Sequence, residues 1–417
     1  MNKLDTITLD NGLKIYLYND KRRHSTFFQF TTMCGGMTKH FISNGCEYNL
    51  CDGVAHILEH YIVECNEVGN FLNLLGEHYM NTNASTHIDH TSFYFEACEN
   101  VEFGIKTMLN GINNVSFNNN KFNKLKNPIY QEIRGKLDSK YYHLSRMKFK
   151  NLFHNNDFRD IGGLIEEVKN ITIDDIKVLY NSFYQPKNQF IVIAGNFDKK
   201  AVMNVINDFY SNYKTPDISV ELIKNNDNLA VKKKSEILYF PTPINHSELI
   251  FKIDISNYNN KELLDLDFYL NCFYGNSFGL TSKLYNKMIK DKIITDKIYV
   301  NHCIIDNYLI LSILADTNKH KIFKDMVFDE LNNLKNLSEE KFELDKNSSI
   351  INLILRDENI YSKIFPFIEN VITYNYPYLD EVEDVLRLNY KEYVKYINKL
   401  DFSNYIELIV KNKKKES

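Results

Sequence analysis

The sequence predicts an α+β protein built of two related domains, each a largely antiparallel sheet with helices packed on one face. Three observations carry this expectation. The chain has 417 residues, more than one core usually serves, and its 44% hydrophobic content excludes a disordered polypeptide. Runs in which apolar residues alternate, the period of a strand, interleave with runs at helical spacing. Finally, the order of these runs before a polar stretch at 213–236 recurs after it.

The chain opens as sheet. Ile7-Thr8-Leu9 and Leu13-Lys14-Ile15-Tyr16-Leu17 flank Asp10-Asn11-Gly12, and Asn-Gly between alternating runs is the strongest short-range hairpin signal. A further extended run, Thr26 to Met33, ends at Gly35-Gly36. From Gly53 the apolar positions Val54, Ile57, Leu58, Tyr61 and Ile62 follow helical spacing. Asn81 to Cys98 reads as one strand, 100–114 and 118–153 as helices, Asp174 to Phe183 as a short helix, and Gln189 to Ala194, closed by Gly195-Asn196, as strand again. Tyr213 to Glu236 contains Lys214-Thr215-Pro216-Asp217 and Lys224-Asn225-Asn226-Asp227-Asn228, holds few core candidates and reads as a linker. Beyond it come a strand at Leu249–Ile253, helices at 260–274 and 281–290, strands at 297–304 and 307–315, and a helix at 319–334. The expected division is therefore a domain at 1–212, a linker at 213–236 and a second domain at 237–417, with chemistry confined to the first.

Composition narrows the function. Fifty Lys and Arg against fifty-four Asp and Glu leave a formal charge of −4, so no global field favours nucleic acid or an anionic membrane. The N-terminus reaches Lys3 and Asp5 before any apolar stretch that could serve as a secretory signal, and Phe190 to Ala194, the longest aliphatic run, cannot span a bilayer. A soluble, cytoplasmic protein is expected. Seven cysteines at 34, 46, 51, 65, 98, 272 and 303 form no C-x-x-C pair and read as reduced, mostly buried thiols. The 28 Tyr and 28 Phe are spread along the chain with no basic patch between them, so they serve as core and chamber lining rather than a nucleobase platform. Lys232-Lys233-Lys234 and the tail from Lys411 to Lys415 are short solvated charge runs, and no Walker-type loop is present. His87, Asp89 and His90 lie in the expected strand, where 87 and 89 share a face and 90 points away, which argues against a second metal site.

The chemistry lies in His56-Ile57-Leu58-Glu59-His60. On a helix turning 100° per residue, the two imidazoles and the carboxylate fall within about a 100° arc. Two His at i and i+4 can bind one zinc, and a carboxylate beside them can act as general base; the order H-x-x-E-H inverts the common zincin arrangement. A single His on a helix is more often an ordinary polar residue facing a cleft. Three ionisable groups on a helix that is apolar nearly all round are different, because burying them without partners would cost several kcal/mol, and a metal removes that cost. A catalytic zinc needs a third protein ligand. Spacing leaves Glu77, Glu96, Glu102, Glu132, Glu166 and Glu167 as candidates.

Several motifs together resemble the pitrilysin-type zinc metallopeptidases, the family of insulysin and the mitochondrial processing peptidase, and most closely a bacterial two-domain member of the processing-peptidase kind. The matching residues are Asp10-Asn11-Gly12-Leu13, Gly53-Val54-Ala55-His56-Ile57-Leu58-Glu59-His60, Asn83-Ala84-Ser85-Thr86 with Thr91-Ser92-Phe93-Tyr94, and Ile129-Tyr130-Gln131-Glu132-Ile133. Tyr184-Gln185-Pro186-Lys187-Asn188 and Ile193-Ala194-Gly195-Asn196-Phe197-Asp198 match the end of the family's first domain. The resemblance implies two processing-peptidase-like domains, one zinc ion per chain held by His56, His60 and Glu132, and Glu59 as general base. It also implies a substrate-binding edge strand at Asn83, Ala84, Ser85 and Thr86, to which a peptide adds by main-chain hydrogen bonds. The expected activity is cleavage of short or unfolded peptides, leader or precursor segments among them.

The chain departs from the family pattern in two places. Seven residues before Glu132, where the family has a second acidic residue, stands Leu125, and Pro128 lies four residues before the ligand. In the second domain, alignment through Ser282-Lys283-Leu284-Tyr285 puts Ile289 and Asp296 where active members carry an Arg/Tyr pair for the scissile carbonyl. Some bacterial members divide these parts between paralogous subunits. The resemblance thus implies a partner of similar size supplying the Arg/Tyr pair, or a homodimer, and leaves as the rival a non-catalytic scaffold or peptide-binding subunit.

Overall fold

In the computed structural model the chain is described over residues 4–413, apart from 155–159, 217, 224–226, 334–337, 378 and 380. The first half contains β1 (Asp5–Thr8), β2 (Lys14–Asn19), β3 (Thr26–Thr32), β4 (His40–Ser43), β5 (Cys46–Asn49), α1 (Val54–Glu64), α2 (Phe71–Glu77), β6 (Asn81–Thr86), β7 (Thr91–Ala97), α3 (Val101–Asn113), α4 (Asn119–Leu137), α5 (Lys140–Leu152), α6 (Ile165–Asn170), α7 (Ile173–Phe183), β8 (Gln189–Gly195), α8 (Lys199–Ser211) and β9 (Val220–Leu222). The second contains β10 (Ser235–Phe240), β11 (His246–Asp254), α9 (Asn260–Phe278), α10 (Lys283–Lys290), β12 (Tyr299–Ile305), β13 (Tyr308–Asp316), α11 (His320–Asn332), α12 (Glu339–Arg356), α13 (Ile360–Tyr374), α14 (Glu381–Arg387), α15 (Tyr390–Asn398) and β14 (Tyr405–Asn412).

Two compact units result: Met1–Asp138 with Arg159–Asn225 and Ile360–Ile368, and Ser139–Phe158 with Asn226–Asn359 and Glu369–Ser417. One boundary, between Asn225 and Asn226, falls inside the stretch 213–236; the segments 139–158 and 360–368 are each grouped with the other half of the sequence. The linker region is not featureless, since β9 pairs with β4 in a small sheet and β10 begins at Ser235. Of the segments singled out in the sequence, Met1–Lys3, Asp217, Lys224–Asn226 and Lys414–Lys415 lie outside the described residues.

The two large sheets repeat one design. The first unit orders its strands β1-β2-β8-β3-β7-β6 and the second β10-β14-β11-β13-β12. Without the extra β1, the orders correspond strand for strand. In each, the first strand runs parallel to the last and every other pair is antiparallel. This is the largely antiparallel, internally repeated α+β architecture that the sequence predicts.

Local sequence explains the elements that frame the site. In the opening hairpin Ile7 pairs with Ile15, and Gly12 takes φ +88°, a left-handed conformation suited to glycine. The core of the first unit joins Phe28, Phe30, Phe93 and Phe95 of the sheet to Ile57, Leu58, Tyr61 and Ile62 of α1 and to Ile105, Met108 and Ile112 of α3. On the other side of this sheet Tyr16 meets Phe367 and Phe27 meets Tyr361, so β3 is buried along its whole length.

Two expectations are corrected. Asn81 to Cys98 is a hairpin, not one strand: the His87 N–H donates to the His90 carbonyl at 2.8 Å, closing a tight turn over Ile88 and Asp89. The turn brings the His87 and His90 rings together, stacked with centroids 4.3 Å apart, instead of sending them to opposite faces. The helix expected at 118–153 is interrupted at Asp138 and Ser139 into α4 and α5. Asn118 caps α4 by accepting from the N–H groups of Asn120 and Lys121, so Pro128 sits inside the helix and leaves one carbonyl of its ladder without an intrahelical donor.

Candidate metal centre

Helix α1 is amphipathic in an unusual sense: its polar stripe is itself buried. Ile57, Leu58, Tyr61 and Ile62 pack into the core, while His56 and Glu59, both under a tenth exposed, turn with His60 toward a cleft of about 470 Å³. The helical repeat sets the two imidazoles edge to face, with ring centroids 4.7 Å apart and Nε2 atoms 3.3 Å apart.

Helix α4 brings the third group. Glu132 Oε2 lies 3.5 Å from His56 Nε2 and 3.8 Å from His60 Nε2. Among the described residues these three form the one cluster of metal-ligand side chains whose donor atoms lie close enough to share an ion. None of the other carboxylates left open by spacing joins it. Bonds of about 2.0–2.1 Å to a tetrahedral zinc would place ligand atoms roughly 3.3–3.4 Å apart, so the observed separations fit such an ion with small adjustment. Two imidazoles and one carboxylate are also the donor set of a catalytic zinc site that keeps one position open.

The electrostatics suit the same use. Burial, then the neighbouring His60, holds His56 well below the ordinary imidazole value, and burial also lowers His60 against the pull of Glu132. Both rings are therefore neutral near pH 7, as metal ligation requires. Burial would raise the Glu132 carboxyl, but a hydrogen bond from Lys136 and the charge of His56 keep it below the usual carboxylate value. Burial pushes Glu59 up to about 7, and the hydrogen bond from Thr86 moderates the rise. A carboxyl titrating near neutrality can accept a proton and return it.

The edge strand β6 forms one wall of the cleft, which Asn83, Ala84, Ser85 and Thr86 line together with the three candidate ligands, Glu59 and Lys136. Thr86 has a different use for its side chain from that expected of the strand: its hydroxyl donates to Glu59 Oε2 at 2.7 Å. Asn83 Oδ1 accepts the Ala84 N–H at 2.9 Å, and the Ser85 hydroxyl lies 3.1 Å from His87 Nε2.

Sequence reasoning missed Lys136. Its Nζ stands 2.7 Å from Glu132 Oε1. The spacing of an i,i+4 Glu–Lys pair was legible, but it gained meaning only once Glu132 was placed. Leu125, at the position of the family's second acid, packs against the hydrophobic core. In the second unit Ile289 lies on α10, and Asp296 precedes β12.

Residues 170–349 match the family described as "Peptidase M16 inactive domain"; the matched segment excludes α1 and α4. The chain is 27% identical over 232 residues to the uncharacterized zinc protease YmfH of Bacillus subtilis, an alignment covering 54% of each. It is 22% identical over 172 residues to the zinc protease PqqE of Helicobacter pylori, covering 40% of this chain and 38% of that protein. The aligned segments thus span about half or less of these curated relatives. A solved structure described as an M16-like peptidase, from Alicyclobacillus acidocaldarius, superposes with a TM-score of 0.90 at 19% identity, covering 98% of both chains.

Proposed function

The chain belongs to the M16, or pitrilysin, family, and on that premise we propose that it is a zinc-dependent endopeptidase acting on short or unfolded peptides, leader and precursor segments among them. One observation carries the reading: three ligand atoms from two helices lie 3.3–3.8 Å from one another beside a buried carboxyl group.

In this reading His56, His60 and Glu132 hold one zinc ion, which when bound supplies a Lewis acid for the peptide carbonyl and a more acidic water. Glu59 takes the proton of the attacking water and passes it to the leaving amine. The peptide lies along β6 as an added strand, so that main-chain hydrogen bonds hold it with little regard for its sequence. Ile289 and Asp296 offer no donor pair for the developing negative charge, so a paralogous partner supplies the Arg and Tyr. Seven cysteines without disulfides suit a reducing compartment, which supports a cytoplasmic location; no helix among the described residues is long and apolar enough to cross a membrane.

A second reading is favoured by a specific observation: the matched family description is that of an inactive domain, and Leu125 brings no second carboxylate to α4. Here the chain is a peptide-binding or scaffold subunit that keeps the metal site. Glu59→Gln separates the two. The enzyme reading requires cleavage of a quenched peptide by the assembled complex to collapse while zinc content stays at one per chain; undiminished cleavage would sink it.

A further inference from the structure

We infer that the outward face of helix α12 is a contact surface for a second copy of this chain, the two helices packing antiparallel about a twofold axis. The inference concerns the second unit alone and does not rest on the zinc reading; the partner proposed above serves the cleft of the first unit.

On a helix turning 100° per residue, Leu344, Ser348, Ile351 and Leu355 fall within about a 60° arc and span about 17 Å of the axis. Leu344, Ile351 and Leu355 are 60%, 58% and 63% exposed, and Ile354 beside them is 55% exposed. With its other side α12 packs on α9, α14 and α15, and there Phe342 is fully buried. One exposed leucine needs no explanation, but these aliphatic side chains together form a patch of roughly 400 Å², the size that marks contact surfaces.

The repeat supplies its own reference, because α4 of the first unit is the counterpart of α12. A capping side chain, Asn118 or Ser338, is followed four residues later by a buried Phe122 or Phe342 and eight residues later by Lys126 or Lys346. Each of these lysines donates to two carbonyls at the end of a neighbouring helix, those of Lys169 and Ile171 in one unit and of Leu386 and Leu388 in the other. In this register the places of Leu344, Ser348, Ile351 and Leu355 are held in α4 by Lys124, Pro128, Gln131 and Gly135, all exposed. The fold thus accepts a face without large aliphatic side chains there, and the packing of the second unit does not demand the one on α12.

The pattern selects a second copy. Its intervals of four, three and four residues read the same in both directions, so an antiparallel pair sets Leu344 against Leu355 and the small Ser348 against Ile351, twice each. Such an isologous contact needs no second surface. Doubled across the axis, the apolar area is about 800 Å², the apolar share of an interface of roughly 1,200–1,400 Å², which is the lower end of what stable pairs bury.

The test is sedimentation velocity of the full chain from about 1 to 200 µM, in reducing buffer because Cys46 and Cys98 are exposed. The parent should pass from one chain to two across that range, the strength of a small interface. Ile351→Gln and the double variant Leu344→Lys/Ile351→Gln carry the residues that α4 has at these places, so the fold tolerates them. They should weaken association at least about tenfold and leave the melting temperature at low concentration unchanged. Leu355→Glu should weaken it too, and should recover part of the loss when combined with Leu344→Lys, because those positions face each other in the antiparallel pair. A parent that stays a single chain to the top of the range would overturn the proposal and leave the face to another protein. Single variants that pair as well as the parent, or a Leu344→Lys/Leu355→Glu chain that pairs no better than either single variant, would also overturn it.

Discussion

Lys136 holds Glu132 from behind: its Nζ lies 2.7 Å from Oε1, one helical turn along α4, and leaves Oε2 to face His56 at 3.5 Å. The pair divides the carboxylate between an ammonium and the metal point. Lys136→Met should weaken zinc binding about tenfold, the usual cost of losing a ligand's hydrogen-bond partner. It should change the stability of the metal-free chain by no more than about 0.5 kcal/mol, because the pair is more than a third exposed. Chelator competition and denaturant titration would measure the two effects.

Metal binding should stabilise the first unit by mass action. At a free zinc concentration 100 times Kd, the gain is about 2.7 kcal/mol, and EDTA should reverse it. His60→Ala removes one of three ligands and should abolish the shift. A melting curve of that variant that still responds to zinc would place the ion elsewhere.

Glu59 gives the metal-free chain a specific pH dependence. Its carboxyl rises from 4.5 to about 7 on folding, chiefly through burial. A raised carboxyl favours the folded state below pH 4.5, and that advantage is lost as the pH climbs through 7. Glu59→Gln should therefore stabilise the metal-free chain at pH 8, by at most about 3 kcal/mol, and make little difference at pH 4.5. His56 and His60 shift the opposite way, but they are common to both chains and cancel in the comparison. Equal melting temperatures at pH 8 would show that Glu59 is not desolvated.

In the second unit Lys252 is fully buried, paired with Asp227, donating to the Asn228 carbonyl at 2.7 Å, and 4.3 Å from the ring centroids of both Phe153 and Tyr308. Lys252→Met keeps the volume but strips this cation from a buried carboxylate, at a cost of about 3–5 kcal/mol. Adding Asp227→Asn should return much of that loss. A double variant no more stable than the single one would mean that the rings, and not the ion pair, hold this corner.

What the sequence made legible was local. His56, Glu59 and His60 share a helix, and their common face follows from its period. Glu132 lies on another helix, and only tertiary packing decides which of six carboxylates approaches; resemblance chose it, and the structure brings its Oε2 to 3.5 Å from His56 Nε2 and 3.8 Å from His60 Nε2. Thr86 was out of reach for the same reason, since its use depends on how β6 meets α1. The β6–β7 turn escaped notice because Ile88-Asp89 contains neither Gly, Pro nor Asn. The repeat was read from element order alone, and the matching strand directions now give it structural substance.

The grouping of 139–158 with the second unit and 360–368 with the first governs how this protein can be taken apart. A cut within 213–236, where sequence would invite a protein chemist to place one, yields an N-terminal fragment without 360–368 and a C-terminal fragment without 139–158. Tyr16 and Phe27 would lose the rings of Phe367 and Tyr361 in the first fragment, and β10 and β14 would lose α5 in the second. Neither piece is a ready-made domain for expression, and a nicked chain should stay whole through its crossed segments until it is unfolded.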